Sequence, residues 1–100
     1  MIALLQAQKD IWQNKLEKGF NTTDIYKEFC LTHEELSEAC RAYYKKQDVG
    51  EELADVAIYL LALSEMLKID LESEILRKMK RNKDRVYQRI EGVMTRVKDA

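Results

Sequence analysis

Eight consecutive residues, Val56 to Leu63, read Val-Ala-Ile-Tyr-Leu-Leu-Ala-Leu. Wound at 3.6 residues per turn, such a run presents apolar side chains in nearly every direction. A helix that is apolar all round is normally buried on several sides. One hundred residues make one domain at most, and a chain of that length has little else with which to cover such a helix. The run therefore predicts a homo-oligomer whose interface is built largely on this helix. It does not predict a membrane span, because the uncharged stretch ends at Ser64, far short of the roughly 20 residues a bilayer needs.

The rest of the chain is written for helices too. It has no proline and three glycines, Gly19, Gly50 and Gly92, with 46% hydrophobic and 35% charged residues. That composition suits long helices. Helix 1 is predicted from about Ile2 to Lys18, with Leu5, Gln8, Trp12 and Leu16 in a three-four rhythm and Gly19 as the C-cap. Thr22 or Thr23 can cap helix 2, with Asp24 in its first turn. Helix 2 runs to about Lys45 on a stripe of Ile25, Phe29, Thr32, Leu36, Cys40 and Tyr43. The stripe passes unbroken through Thr32, which argues against a new helix capped there by a Thr32–Glu35 box. Tyr43 and Tyr44 read as packing residues. Helix 3 runs from about Gly50 to Leu67. Helix 4 starts after Asp70 and continues at least to Glu91 along Leu71, Ile75, Met79, Val86 and Ile90, with a helical tail after Gly92. The expected fold is all-α: residues 1–100 as one antiparallel four-helix bundle unit, assembled as a dimer or a dimer of dimers.

Several function classes recede on composition. The net charge is −1, which gives the whole chain no bias toward nucleic acid. Cys30 and Cys40 stand ten residues apart on one helix, about 15 Å along its axis, too far for a disulfide. They read as buried thiols of a reducing cytosol. His33 is the one histidine, and no Cys/His set has zinc-ligand spacing. The opening MIALLQAQKD lacks a basic region followed by a long apolar segment, so no secretory signal is expected. A cytoplasmic protein without a membrane partner is expected. No Ser/His/Asp or Cys/His catalytic set is visible, nor a Gly-rich phosphate loop.

The charge is unevenly placed. Residues 34–55 hold seven acids against three bases. Within them Glu35 and Glu38 are three apart, and so are Glu52 and Asp55, with a polar, glycine-bearing segment between the pairs. Residues three apart share a helix face, so two helices folded back across that segment would bring four carboxylates together. Four converging carboxylates repel unless a cation joins them, and hard oxygen donors suit Mg²⁺. Acid pairs at this spacing are also common on solvated faces. Asp55 stands out because it opens directly into the apolar run, where a charge risks burial without a partner.

Residues 77–89 are the reverse, with seven bases against one acid, Asp84. On the stripe of helix 4, position 82 is Asn82, flanked by Lys78 and Arg85. These three read either as a polar seam residue with a solvated basic face or as an amide and two cations aimed at a phosphate-bearing ligand.

Taken together, HEELSEACRAYYKKQDVGEELADVAIYL and the later KMKRNKDR resemble the MazG-like family of all-α nucleoside triphosphate pyrophosphohydrolases. That family's EExxE…ExxD signature is matched by Glu34-Glu35-Leu36-Ser37-Glu38 and Glu52-Leu53-Ala54-Asp55, and its K-x-x-x-N-x-x-R tendency by Lys78, Asn82 and Arg85. The resemblance covers about residues 20–87. It implies Mg²⁺-dependent hydrolysis of a nucleoside triphosphate to monophosphate and pyrophosphate, in the service of nucleotide-pool housekeeping. It assigns the metal to Glu35, Glu38, Glu52 and Asp55, and phosphate or sugar to Lys78, Asn82 and Arg85. Glu34, turned about 100° from Glu35, is a candidate general base or simply a solvated glutamate. Trp12 and Phe20 can stack on a base or serve the core. Two alternatives stay open: a phosphoribosyl-ATP pyrophosphohydrolase, disfavoured by Leu60 where a histidine would follow Tyr59, and a non-enzymatic helical interaction module. The acidic residues would oppose a polyanion, so nucleic acid is not the expected partner.

Overall fold

The structure, a computed structural model, describes residues 3–98. Four helices come first: α1 (Leu4–Lys18), α2 (Ile25–Tyr44), α3 (Val49–Met66) and α4 (Leu71–Asp84). Two strands follow, β1 (Val86–Ile90) and β2 (Val93–Lys98), paired antiparallel.

Each later helix begins on an aspartate. Asp24, Asp48 and Asp70 accept the backbone N–H of Lys27, Glu51 and Ser73 at 3.0, 3.1 and 3.1 Å. The side chain thus satisfies a donor that the first turn cannot. Asp24 is itself the cap of α2, in place of the threonines before it; Asn21 holds it, accepting the Asp24 N–H at 3.0 Å. Three helices end alike, with one residue in the left-handed region: Gly19 (φ 71°), Lys46 (φ 58°) and Lys68 (φ 58°). The next N–H reaches back five residues in each case, as from Gln47 to the Ala42 carbonyl at 2.8 Å and from Ile69 to that of Ser64 at 2.8 Å. Helix α2 runs unbroken through Thr32, whose hydroxyl donates back to the Glu28 carbonyl at 2.8 Å.

Helices α1 and α2 both pack on α3, and α2 against α3 is the larger contact. The small faces Ala39 and Ala42 of α2 and the segment Leu61–Ser64 of α3 are buried. Helix α1 contributes Ala7, Gln8 and Lys15. Gln8 locks the α3–α4 link: its amide donates to Glu65 at 2.9 Å and to the Ile69 carbonyl at 2.7 Å. Lys15 reaches Glu28 of α2 at 2.9 Å, a buried pair. Helix α4 meets α1 near its start, where the Leu4 N–H donates to Glu72 at 3.0 Å, and has at most a marginal contact with α2 or α3.

Four further expectations are corrected. Helix 4 stops at Asp84, and Val86 to Lys98 form a hairpin instead of a helical tail. Val86, Tyr87, Ile90, Val93, Thr95 and Val97 favour a strand. Glu91 (φ 51°) and Gly92 (φ 81°) form a two-residue turn in which both angles are positive, the geometry that matches strand twist. Cys30 and Cys40 are exposed rather than buried. So are Tyr43 and Tyr44. All four lie off the side of α2 that α3 covers. Most of the stripe predicted for α2 is on its open side: Phe29 is 46% and Leu36 53% exposed, while Ile25 and Thr32 are half-buried. Among the described residues, no helix is long and apolar enough to cross a membrane.

Candidate metal centre

The buried line of α2 passes through Glu28, Leu31, Glu35, Ala39 and Ala42, and α3 lies along it. Two short alanines let α3 approach closely near the α2–α3 turn. The first turns of α3 therefore lie against the carboxylates of α2. Glu35 from α2 meets Glu52 and Asp55 from α3, with one oxygen of each within 4.8 Å of the others. All three are half-buried.

Burial, and then the charges of Glu38, Asp55 and Glu52, hold the Glu35 carboxyl above its ordinary value. Desolvation and then Glu38 and Asp55 do the same to Glu52, with Glu51 and Asp48 adding to the push. Such a shift marks a charge taken partly out of water beside charges of its own sign. The field reaches one turn further along α3: Tyr59 is raised by burial and then by Glu35, Glu28, Asp55 and Glu38.

Glu38 is exposed at the edge of this group. It lies within hydrogen-bonding reach of Glu35, and its charge bears on both Glu35 and Glu52. Glu34 is exposed, outside the three-carboxylate group, on a shallow surface shared with His33, Ser37, Glu38 and Arg41. Lys78 and Asn82 are on the outer half of α4, and Arg85 is the extended residue that follows its end. Arg85 donates to the Asn82 side-chain oxygen at 2.7 Å. Because α4 packs on α1, the contacts of a single chain do not carry this triplet to the carboxylates.

The donor set fits a hard divalent cation. Three carboxylates offer six oxygens and no nitrogen or sulfur, the preference of Mg²⁺, which keeps several waters and takes few protein ligands.

Two charged residues of this region escaped sequence reasoning. They are Lys15 and Glu28. The signal was present: Glu28 is two turns before Glu35 and on the same face, and Lys15 is two turns after Gln8.

No curated protein and no solved structure matches the chain. Residues 14–97 match the MazG-like family. The match spans the end of α1, the two helices α2 and α3 that carry the acidic pairs, the basic helix α4 and most of the hairpin. The chain belongs to the MazG-like family.

Proposed function

We propose that this protein is a Mg²⁺-dependent nucleoside triphosphate pyrophosphohydrolase that releases nucleoside monophosphate and pyrophosphate. The observation that carries the reading is the meeting of Glu35, Glu52 and Asp55 from two helices of a MazG-like chain. Glu35, Glu52 and Asp55 hold the metal, with Glu38 at its edge closing on the ion or on its waters. Bound there, Mg²⁺ would neutralise phosphate oxygens and lower the pKa of a water. Phosphoryl transfer asks the protein for positioning and charge neutralisation more than for covalent chemistry. No nucleophilic residue set is needed when water attacks directly. Glu34, outside the three-carboxylate group, is a candidate general base, and a water held by Glu38 is a second source of the nucleophile.

The active unit is a homo-oligomer. Phe29 and Leu36 on α2, Leu53, Ile58 and Leu60 on α3, and Ile75, Leu76 and Met79 on α4 are all exposed in one chain. That is too much apolar surface for water alone. A second copy would complete the four-helix bundle that α4 leaves open. It would also set the basic helix of one chain near the acids of the other, where Lys78, Asn82 and Arg85 can hold phosphate.

The test is a panel of ribo- and deoxyribonucleoside triphosphates, with and without Mg²⁺, followed by phosphorus NMR. Pyrophosphate as the first product supports the reading. Orthophosphate with a diphosphate would mean attack at the terminal phosphate, and another reaction. Turnover of phosphoribosyl-ATP alone would favour that narrower enzyme.

A further inference from the structure

Between α1, α2 and α3 lies a hollow of about 260 Å³. Ile11, Phe20, Leu31 and Ile58 form apolar walls, and Asn14 and Asn21 are polar residues in the lining. Lys15 and Glu28 line it as well, and they are an unusual pair to find there. Their side chains are 9% and 0% exposed, and Lys15 Nζ lies 3.1 and 2.9 Å from the two Glu28 carboxylate oxygens. Asn21 donates to the same carboxylate at 3.2 Å and to the Asp24 carbonyl at 2.8 Å. Taking an ion pair out of water costs several kcal/mol per ion before the pairing offsets it, and apolar residues of the same volume often serve stability as well or better. Fold stability is therefore a poor reason for this pair.

The hollow continues toward the carboxylates. Tyr59 lines it and also sits in the field of Glu35 and Asp55. Glu28 and Glu35 are two turns apart on α2, about 10 Å. A molecule with its phosphates at the carboxylates would thus place its other end in the hollow. The volume is below the roughly 300–1,000 Å³ of sites that take a whole drug-sized ligand, so it suits a part of a nucleotide. The pair is net neutral, which suits an uncharged polar group rather than a phosphate. Lys27, exposed at the hollow, is the other charged residue of the lining.

We propose that the Lys15–Glu28 pair, with Asn21, is the element that selects the nucleobase, which enters this hollow against Phe20 and the apolar walls. This rests on the triphosphate reading above. Lys15 is the donor: an ammonium has three N–H groups and no acceptor, so the base must turn a carbonyl oxygen or ring nitrogen toward it. Glu28 is fully covered and acts through Lys15 and Asn21, as a positioning residue. The ligand class is a neutral, planar heterocycle with an acceptor on its edge.

The test compares the nucleoside monophosphates AMP, CMP, GMP and UMP with ribose 5-phosphate, which lacks the base, in the presence of Mg²⁺. Calorimetry gives affinities, and methyl NMR follows Ile11, Leu31 and Ile58. The expected result is at least one monophosphate bound about tenfold or more tighter than ribose 5-phosphate, with shifts at all three residues that ribose 5-phosphate does not cause. In the paired replacement Lys15→Met/Glu28→Leu that margin shrinks about tenfold, while ribose 5-phosphate affinity stays within about twofold. Phe20→Ala, at a wall residue that is 59% exposed, shrinks the margin in the same way. Base-dependent shifts that avoid Ile11, Leu31 and Ile58 overturn the proposal, as does a folded paired variant that keeps the full margin. Because binding is read without turnover, a protein that hydrolyses no triphosphate yet gives these shifts would lose the hydrolase reading and keep this one.

Discussion

Glu52 and Asp55 are placed by the first turns of α3, and each meets Glu35 across the groove. Replacing one of them with its amide removes a charge but hardly any volume. Glu52→Gln and Asp55→Asn are expected to stay folded and to lose Mg²⁺-dependent turnover. Without metal at neutral pH each should melt no lower than the parent, and higher if carboxylate repulsion dominates the site. Turnover assays beside thermal melts, and calorimetric Mg²⁺ titration, check this. Glu65 offers the opposite electrostatic case. Its hydrogen bonds from Lys9 and Gln8, at 2.9 Å each at closest, hold its carboxyl below the ordinary value of 4.5. A lowered carboxyl pKa means the unfolded chain binds the proton more tightly. The stabilisation is then full above about pH 4.5 and fades as pH falls through the folded-state value. Glu65→Gln should cost about 1–2 kcal/mol at pH 7, toward the low end for bonds to a charged group because Lys9 is exposed. Near pH 3 the gap to the parent should have narrowed. Urea titrations of both proteins at the two pH values measure it.

At the scale of elements, helix ends explain most of the chain's layout. Aspartate caps and left-handed exits bound α2 and α3 within a residue or two of where sequence reasoning put them. Lys68 exits α3 at φ 58° with a side chain that pays a steric penalty there. Lys68→Gly is expected to raise stability by about 0.5–1 kcal/mol, read as a shift of the urea midpoint at constant slope. The outer half of α4 raises a different question, since this helix packs on α1 rather than along the two acidic helices. Lys78→Ala and Arg85→Ala should raise KM or lower kcat/KM about 10- to 150-fold, the loss of one charge-assisted phosphate contact at roughly 1.5–3 kcal/mol. Melting temperature should change little, because α4 buries no residue. Early melting with normal turnover would make the triplet structural. The hairpin was missed because Val86 and Ile90 fit a helical stripe and a strand equally well. The deciding signal was the β-branched run around Glu91-Gly92, a turn-forming pair that periodicity alone does not weigh.

The whole molecule is extended. Its radius of gyration is 17.1 Å, against about 13 Å for a compact chain of 100 residues. Helix α4 and the hairpin extend from the three packed helices, and a two-stranded hairpin is marginal by itself. Both facts fit a chain that finishes its core against a copy of itself. Phe29→Asp and Leu36→Asp, on the open side of α2, should each turn the oligomer into a monomer in light scattering and cut activity with it. A wild-type monomer at micromolar concentration would remove the oligomer from the proposed function.

The sequence alone determined α1, α2, α3 and the start of α4, because periodicity and caps are local, and it determined that acids spaced three apart share a face. It also carried the family, since the acidic pairs and the basic triplet are read in order along the chain. Tertiary structure decided which face of α2 is inside. The larger apolar stripe of Phe29 and Leu36 lost to the small face of Ala39 and Ala42, because close helix approach depends on what lies opposite, which no single helix encodes. The same packing turned Lys15 and Glu28, distant in sequence and ordinary as charges, into one buried pair at the wall of a hollow. It also kept the basic helix away from the acids within a single chain.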